Sequence, residues 1–122
     1  MPTRLRKIQR VTNKLLIVWS TAEIDVAKKL VLLYGSVILE RNYWDEAHLM
    51  IWGPSAELLS KNEELQRFVK KVQETGVTVS ACRVCTDDYN ITQDIEALNI
   101  DVSHTGELLT QALQSDWKVI TF

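Results

Sequence analysis

Only two cysteines and two prolines stand in this chain of 122 residues, and its four glycines are scattered. Two cysteines cannot staple a small fold, so a disulfide scaffold is excluded. So little proline and glycine leaves small scope for long loops, and most of the chain belongs in regular elements. Gly35, Gly53, Gly76 and Gly106 stand alone and make no phosphate-cradling loop. The G-x-S-x-G elbow of hydrolases and the HExxH pair of metalloproteases are missing too. No apolar run approaches the roughly 20 residues that cross a bilayer, so no membrane partner is expected. The basic start before the apolar residues 15–19 imitates a signal peptide, but the run is shorter than the roughly 7–15 residues of a true h-region. A cytoplasmic protein with reduced thiols is the expectation.

What is present is ordinary for one globular domain, with 46% hydrophobic and 25% charged residues. The net charge of −2 hides an asymmetry: Arg4, Arg6, Lys7, Arg10 and Lys14 give residues 1–14 a charge of +5, against −7 for the remainder. An acidic body is a poor partner for nucleic acid, which needs clustered Lys and Arg. Residues 1–12 therefore read as a basic, flexible N-terminal arm and 13–122 as the domain.

The pattern alternates strands and helices. Residues 15–19 form a continuous apolar run of the kind buried on both faces of a sheet. A helix is expected over 23–41. Its middle, Leu30-Val31-Leu32-Leu33-Tyr34, is apolar on every side at 3.6 residues per turn. In so small a domain its outer face is expected to meet another subunit. Further strands are expected at 47–52, 77–81, 100–103 and 117–122. Helices are expected after Ser55, over 63–75 and 106–114, and as one or two short pieces over 86–98 with Thr86 or Thr92 as caps. Gly76 fits the C′ position of the helix over 63–75. The architecture implied is a single α/β domain of three layers, with a mostly parallel sheet covered by helices.

In such sheets ligands bind beyond the carboxyl ends of the strands. That rule gathers Ser20-Thr21, Gly53-Pro54-Ser55, residues 82–85 and His104-Thr105 at one edge. Trp52 and Arg83 join them as candidate pocket residues. His48, inside an apolar strand, reads as a satisfied core or interface histidine. The four tryptophans, each in or beside a strand, read as core.

Cys82-Arg83-Val84-Cys85 is a CxxC at a strand-to-helix junction. A helix N-terminus favours thiolate, the reactive form. Arg83 adds to that effect, while Asp87 and Asp88 oppose it. Four readings compete: a dithiol redox pair, a zinc site with His104 as third ligand, a sulfur carrier with one persulfidated thiolate, and two buried hydrophobes. The thioredoxin surroundings are absent, since no Trp precedes the pair and no Pro lies within it. Zinc lacks a fourth ligand, so no metal and no cofactor is assigned.

Three segments resemble the DsrE/DsrF-like family. They are Leu49-Met50-Ile51-Trp52-Gly53-Pro54-Ser55-Ala56, the stretch from Gly76-Val77 to Ala81-Cys82-Arg83-Val84-Cys85, and the tail from Gly106-Glu107-Leu108-Leu109-Thr110 to Phe122. The resemblance spans roughly residues 13–122. It implies a five-stranded, largely parallel sheet and a homotrimer or homohexamer. It also implies a role in sulfur trafficking, with a persulfide on the cysteine that Cys82 matches and with unidentified donor and acceptor proteins. Cys85 matches the extra cysteine of a CxxC-bearing subgroup. Asn90 stands where many relatives have Gly, a residue that tolerates left-handed backbone. Asp88-Tyr89-Asn90 replaces the Arg-Arg-Gly of some sulfur-relay subunits. A sulfur carrier at Cys82 is the leading expectation. A non-catalytic oligomeric module holding a small ligand or metal, and a dithiol redox protein, are the alternatives.

Overall fold

The computed structural model describes residues 12–122. The basic arm expected over 1–12 lies outside them, apart from Thr12.

Five parallel strands form one sheet in the order β4-β3-β2-β1-β5. In chain order they are β1 (Lys14–Trp19), β2 (Glu46–Ile51), β3 (Thr78–Cys82), β4 (Asp101–Ser103) and β5 (Lys118–Thr121). The first crossover carries α1 (24–37). The second carries α2 (Pro54–Lys61) and α3 (Glu63–Glu74), the third α4 (Arg83–Asp88) and α5 (Thr92–Glu96), and the last α6 (Thr105–Leu113).

The strand order dictates the layers. From β1 to β4 each crossover steps the same way, so right-handed connections put α1 through α5 on one face. From β4 the chain returns across the sheet to β5, and the same handedness puts α6 on the opposite face. The first face holds the main core, with Leu15, Ile17, Trp19, Leu49, Ile51 and Val79 under the helices. The second holds a small cluster of Leu16, Val18, Met50 and Ala112, flanked by Trp52, Leu109, Trp117 and Val119. One nine-residue helix, about 14 Å long, cannot cover five strands. An open groove of about 420 Å³ remains between α6 and the sheet, lined by residues including Leu16, His48, Met50, Leu108 and Trp117.

Helix α1 departs from the expected single helix over 23–41. It consists of Ile24–Val26, a π-helical stretch Ala27–Val31, and Leu32–Val37, followed by turns. The Leu32 amide reaches back five residues to the Ala27 carbonyl. This wide turn brings Ala27 and Leu32 onto the buried side with Val31, Gly35 and Ile38. Gly35 faces α3, where a Cβ would make an ordinary contact 3.6 Å from Val72 Cγ1. The same register turns Ile24, Val26, Leu30 and Leu33 outward, with Leu33 51% exposed.

Several local expectations hold. Gly76 ends α3 in a left-handed conformation at φ 105°. Asn90 takes φ 59°, so asparagine supplies the turn. The caps of the third crossover differ from expectation: Cys82 and Ile91 hold the N-cap positions, with Thr86 inside α4 and Thr92 opening α5. The Thr92 hydroxyl instead donates to Asp87 and Thr86, tying the two short helices together.

Candidate functional site

Cys82 is the last residue of β3 and the N-cap of α4; Cys85 is the third residue of that helix. The strand ends here because the backbone turns from extended at Cys82 (φ −69°, ψ 118°) into helix. Both thiols are free. Cys82 is buried, with 6% of its surface exposed, and Cys85 is partly buried.

The two sulfurs are not equivalent. Burial opposes charge on Cys82, but contacts from the Cys85 thiol, the Cys85 amide, the Thr105 hydroxyl and the Val84 amide outweigh it and lower its pKa. The neutral thiol completes no capping hydrogen bond. Its sulfur nonetheless occupies the place from which an N-cap side chain addresses the second and third helical amides, those of Val84 and Cys85. The site is thus built for the charged form. Cys85 goes the other way. Burial first, then donation of its proton to Cys82 and the nearby charges of Cys82 and Asp88, push its pKa up to about 11, against a smaller lowering by the Gly53 amide. Gly53 N–H donates to Cys85 Sγ at 3.3 Å, which ties the loop after β2 to α4. Neither Asp87 nor Arg83 is among the groups acting on Cys82.

Thr105 opens α6 and is 1% exposed. Its Oγ1 completes no hydrogen bond of ordinary geometry, although it is near enough to favour the Cys82 thiolate. Ser103 Oγ is likewise buried without a partner. Ser103 and Cys82 are register partners across β4 and β3, so both side chains emerge on the α6 face. Burying an unpartnered hydroxyl costs about 1–3 kcal/mol. Two of them beside the sulfur are therefore conspicuous.

The other candidate residues divide between site and scaffold. Ser20 and Thr21 both donate their amides to the Phe122 carbonyl, at 2.7 and 3.2 Å, and so hold the chain end. The Ser55 hydroxyl, fully buried, donates to the Trp19 carbonyl at 2.5 Å and the Trp52 carbonyl at 3.2 Å. Pro54 occupies the first turn of α2, where its missing N–H costs nothing. Trp52 packs on the small cluster under α6. Arg83 donates from Nη2 to the Val102 carbonyl at 2.9 Å and lies 3.8 Å from Glu96 Oε2, so its guanidinium braces β4 and α5. His104 is the exposed N-cap residue of α6. Of the eight pocket candidates, Gly53 is therefore the one hydrogen-bonded to a thiol. Among the described residues no three His, Cys, Asp or Glu side chains group as metal ligands. None of the described helices is long and apolar enough to cross a membrane.

His48 hydrogen-bonds Thr78 Oγ1 at 2.6 Å and Ser80 Oγ at 2.7 Å. Burial lowers its pKa, with Asp101 opposing, so the neutral ring satisfies both neighbours. It is the satisfied histidine that its strand position implies. Ser103 carried no signal in the sequence, because its place beside Cys82 depends on strand register. Thr105 stood among the edge loops without an assigned role.

The Cys85 pKa has a consequence for stability. An unfolded thiol ionises near 8.5, whereas folded Cys85 keeps its proton to about 11. Between those values the unfolded chain binds fewer protons, so stability falls as pH rises through the window. Urea denaturation from pH 8 to 11 is expected to show wild type losing on the order of 1 kcal/mol more than Cys85→Ser.

No curated protein sequence matches the chain. A conserved protein of unknown function, BT1422 from Bacteroides thetaiotaomicron, is 25% identical, with a TM-score of 0.87 over 90% of this chain and 95% of its own. The ychN protein from E. coli is 15% identical, with a TM-score of 0.64 over 92% of this chain and all of its own, and shares the fold. The DsrE/DsrF-like family model matches residues 13–122, and the chain belongs to that family.

Proposed function

We propose that this protein carries sulfur as a persulfide on Cys82. The observation that carries the reading is the opposite tuning of two adjacent thiols, one lowered and one raised. The family's general association with sulfur relay supports it.

In the loading step the Cys82 thiolate attacks the sulfane sulfur of a donor persulfide. The new Cys82 S–S bond forms as the donor's S–S bond breaks, and the donor thiolate leaves with the bonding pair. The outer sulfur keeps its proton or loses it to solvent. In delivery an acceptor thiolate attacks that outer sulfur and Cys82 leaves as thiolate. No net oxidant is needed. Cys85, held as a thiol, donates to Cys82 rather than competing with it. A dithiol redox role would need Cys85 to ionise when it resolves a mixed disulfide, a step that its raised pKa slows near neutral pH. Treating reduced protein with inorganic polysulfide and mapping peptides by mass spectrometry tests the proposal. A gain of about 32 Da per sulfur on Cys82, with Cys85 unmodified, is expected; loading confined to Cys85 or absent altogether overturns it.

The carrier is further proposed to assemble with copies of itself, as a trimer or hexamer, through the outer face of α1. Leu30 and Leu33 are 43% and 51% exposed there, beside Ile24 and Val26. Burying the half of each side chain that is exposed gives about 1 kcal/mol each. Leu30→Glu with Leu33→Glu is expected to sediment as a monomer while melting cooperatively. An unchanged sedimentation coefficient would remove α1 from the interface.

A further inference from the structure

We propose that Ser103 and Thr105 form a receptor for the outer sulfur of the Cys82 persulfide, two hydroxyl donors that position the carried atom. The inference rests on the carrier reading of Cys82 and adds to it the residues that hold the cargo.

Both hydroxyl oxygens are buried and neither completes a hydrogen bond with the described protein atoms. Native folds rarely leave such groups unmatched unless something else binds there. Their placement identifies where that partner sits. Ser103 is the register partner of Cys82, and Thr105 follows two residues later at the start of α6. All three side chains belong to the edge between the sheet and α6. The Cys85 thiol and the Cys85 and Val84 amides address Cys82 itself, and the Thr105 hydroxyl also favours its thiolate; once sulfur is loaded, the charge Thr105 faces moves to the outer atom. A second sulfur attached to Cys82 extends the side chain by one atom and carries the negative charge of the ionised persulfide. Two O–H donors suit that charge, because hydrogen bonds to charged acceptors are the stronger kind. Nearby cationic groups are spoken for, since Arg83 is engaged with Val102 and Glu96. The two hydroxyls are thus side-chain donors at this edge with no partner to give up. Ser103, at the end of an edge strand and only partly buried as a residue, leaves that atom reachable by an acceptor thiolate.

The same residues make a prediction that a purely structural role would reverse. Removing a structural hydroxyl weakens the fold. Removing an orphaned one leaves stability unchanged or raises it, since the unmatched polar group is gone. The variants are Ser103→Ala, Thr105→Val and their combination, with Thr105→Ser as the conservative control. Each protein is loaded with inorganic polysulfide, freed of reagent, and followed by intact mass as the persulfide passes to a small-molecule thiol. Wild type is expected to load and hold sulfur. Because Thr105 also favours the Cys82 thiolate, the lifetime of the loaded persulfide is the readout: the double variant is expected to lose it about tenfold faster, Ser103→Ala to lose it faster with an unchanged Cys82 alkylation midpoint, and Thr105→Ser to stay near wild type. Melting temperatures are expected to be equal to or above that of wild type. If wild type loads and every variant loads and holds sulfur equally, the receptor assignment is overturned and the carrier reading stands. If the variants lose loading only in proportion to a loss of stability, the hydroxyls are structural and the assignment is again overturned. If wild type takes up no sulfur, both fall.

Discussion

Cys82→Ser is expected to abolish sulfur loading, Cys85→Ser to leave it within about threefold, and Cys85→Ala to lower it about tenfold at neutral pH. The ranking follows from which group does what. Cys82 supplies the attacking sulfur, and a serine hydroxyl in its place is far too weakly acidic to substitute. Cys85 supplies a hydrogen bond to that sulfur, which lowers the Cys82 pKa. Serine keeps an O–H donor at the same point; alanine keeps none. A hydrogen bond to a charged acceptor is worth about 1.5–3 kcal/mol, or at least tenfold in the thiolate population when the pH lies below the pKa. The measurement is the alkylation rate of residue 82 from pH 5 to 9, paired with polysulfide loading. The midpoint for Cys82 should move upward in Cys85→Ala and stay nearly fixed in Cys85→Ser. Equal midpoints in all three proteins would mean that the second cysteine does not tune the first. Equal loss of loading in Cys85→Ser and Cys82→Ser would instead make Cys85 a reacting thiol.

This assignment shows where sequence reasoning stopped. The CxxC spacing located the pair, and the strand before it placed Cys82 at a strand end. Spacing alone could not rank the thiols, because that depends on which amides and hydroxyls face each sulfur. Arg83 illustrates the gap: its sequence position beside Cys82 promised a favourable charge, yet its guanidinium turns to the Val102 carbonyl and Glu96. Asp88 acts on Cys85 and not on Cys82, although both aspartates looked equally opposed to a thiolate. Ser103 was invisible for a topological reason. Its neighbour is set by the β3–β4 register, and a three-residue edge strand carries too little pattern to announce that register.

The fold itself was more legible, because the central strands β1 and β2 are buried and mostly apolar, whereas the edge strands β4 and β5 are short and more exposed. The second layer of the sheet was legible only in outline. Helices on both faces were expected, but the strand order that leaves α6 alone on one face comes from the return of the chain to β5. In α1 the all-round apolar run correctly marked an outward apolar face. The π turn that sets which residues form it has no local signature, since Ala27–Val31 are ordinary helix formers. The outward Leu30 and Leu33 follow from an extra residue in one turn.

Gly53→Ala is expected to lower stability by about 1–3 kcal/mol, a fall of several degrees in melting temperature for a chain of this size, and to slow loading of Cys82 as well. Gly53 has φ 73° and ψ −135°, a conformation open to glycine and strained for every residue with a Cβ. A Cβ there would meet nothing within 4 Å, so the cost is backbone strain and not a clash. For that reason asparagine offers no escape. It serves at Asn90, where φ 59° lies in the ordinary left-handed region, but ψ at Gly53 lies far from that region. Gly53→Asn should therefore destabilise about as much as Gly53→Ala, while Asn90→Gly should be nearly neutral. The link to function runs through one bond. The Gly53 amide donates to Cys85 Sγ at 3.3 Å, and Cys85 in turn donates to Cys82. A backbone that relaxes away from φ 73° withdraws that amide and frees the Cys85 side chain to turn from its partner. Thermal melts and polysulfide loading on the same samples separate the two effects. A variant that melts lower but loads at the wild-type rate would confine Gly53 to the fold. One that melts like wild type would show that the loop after β2 adopts a second conformation at no cost.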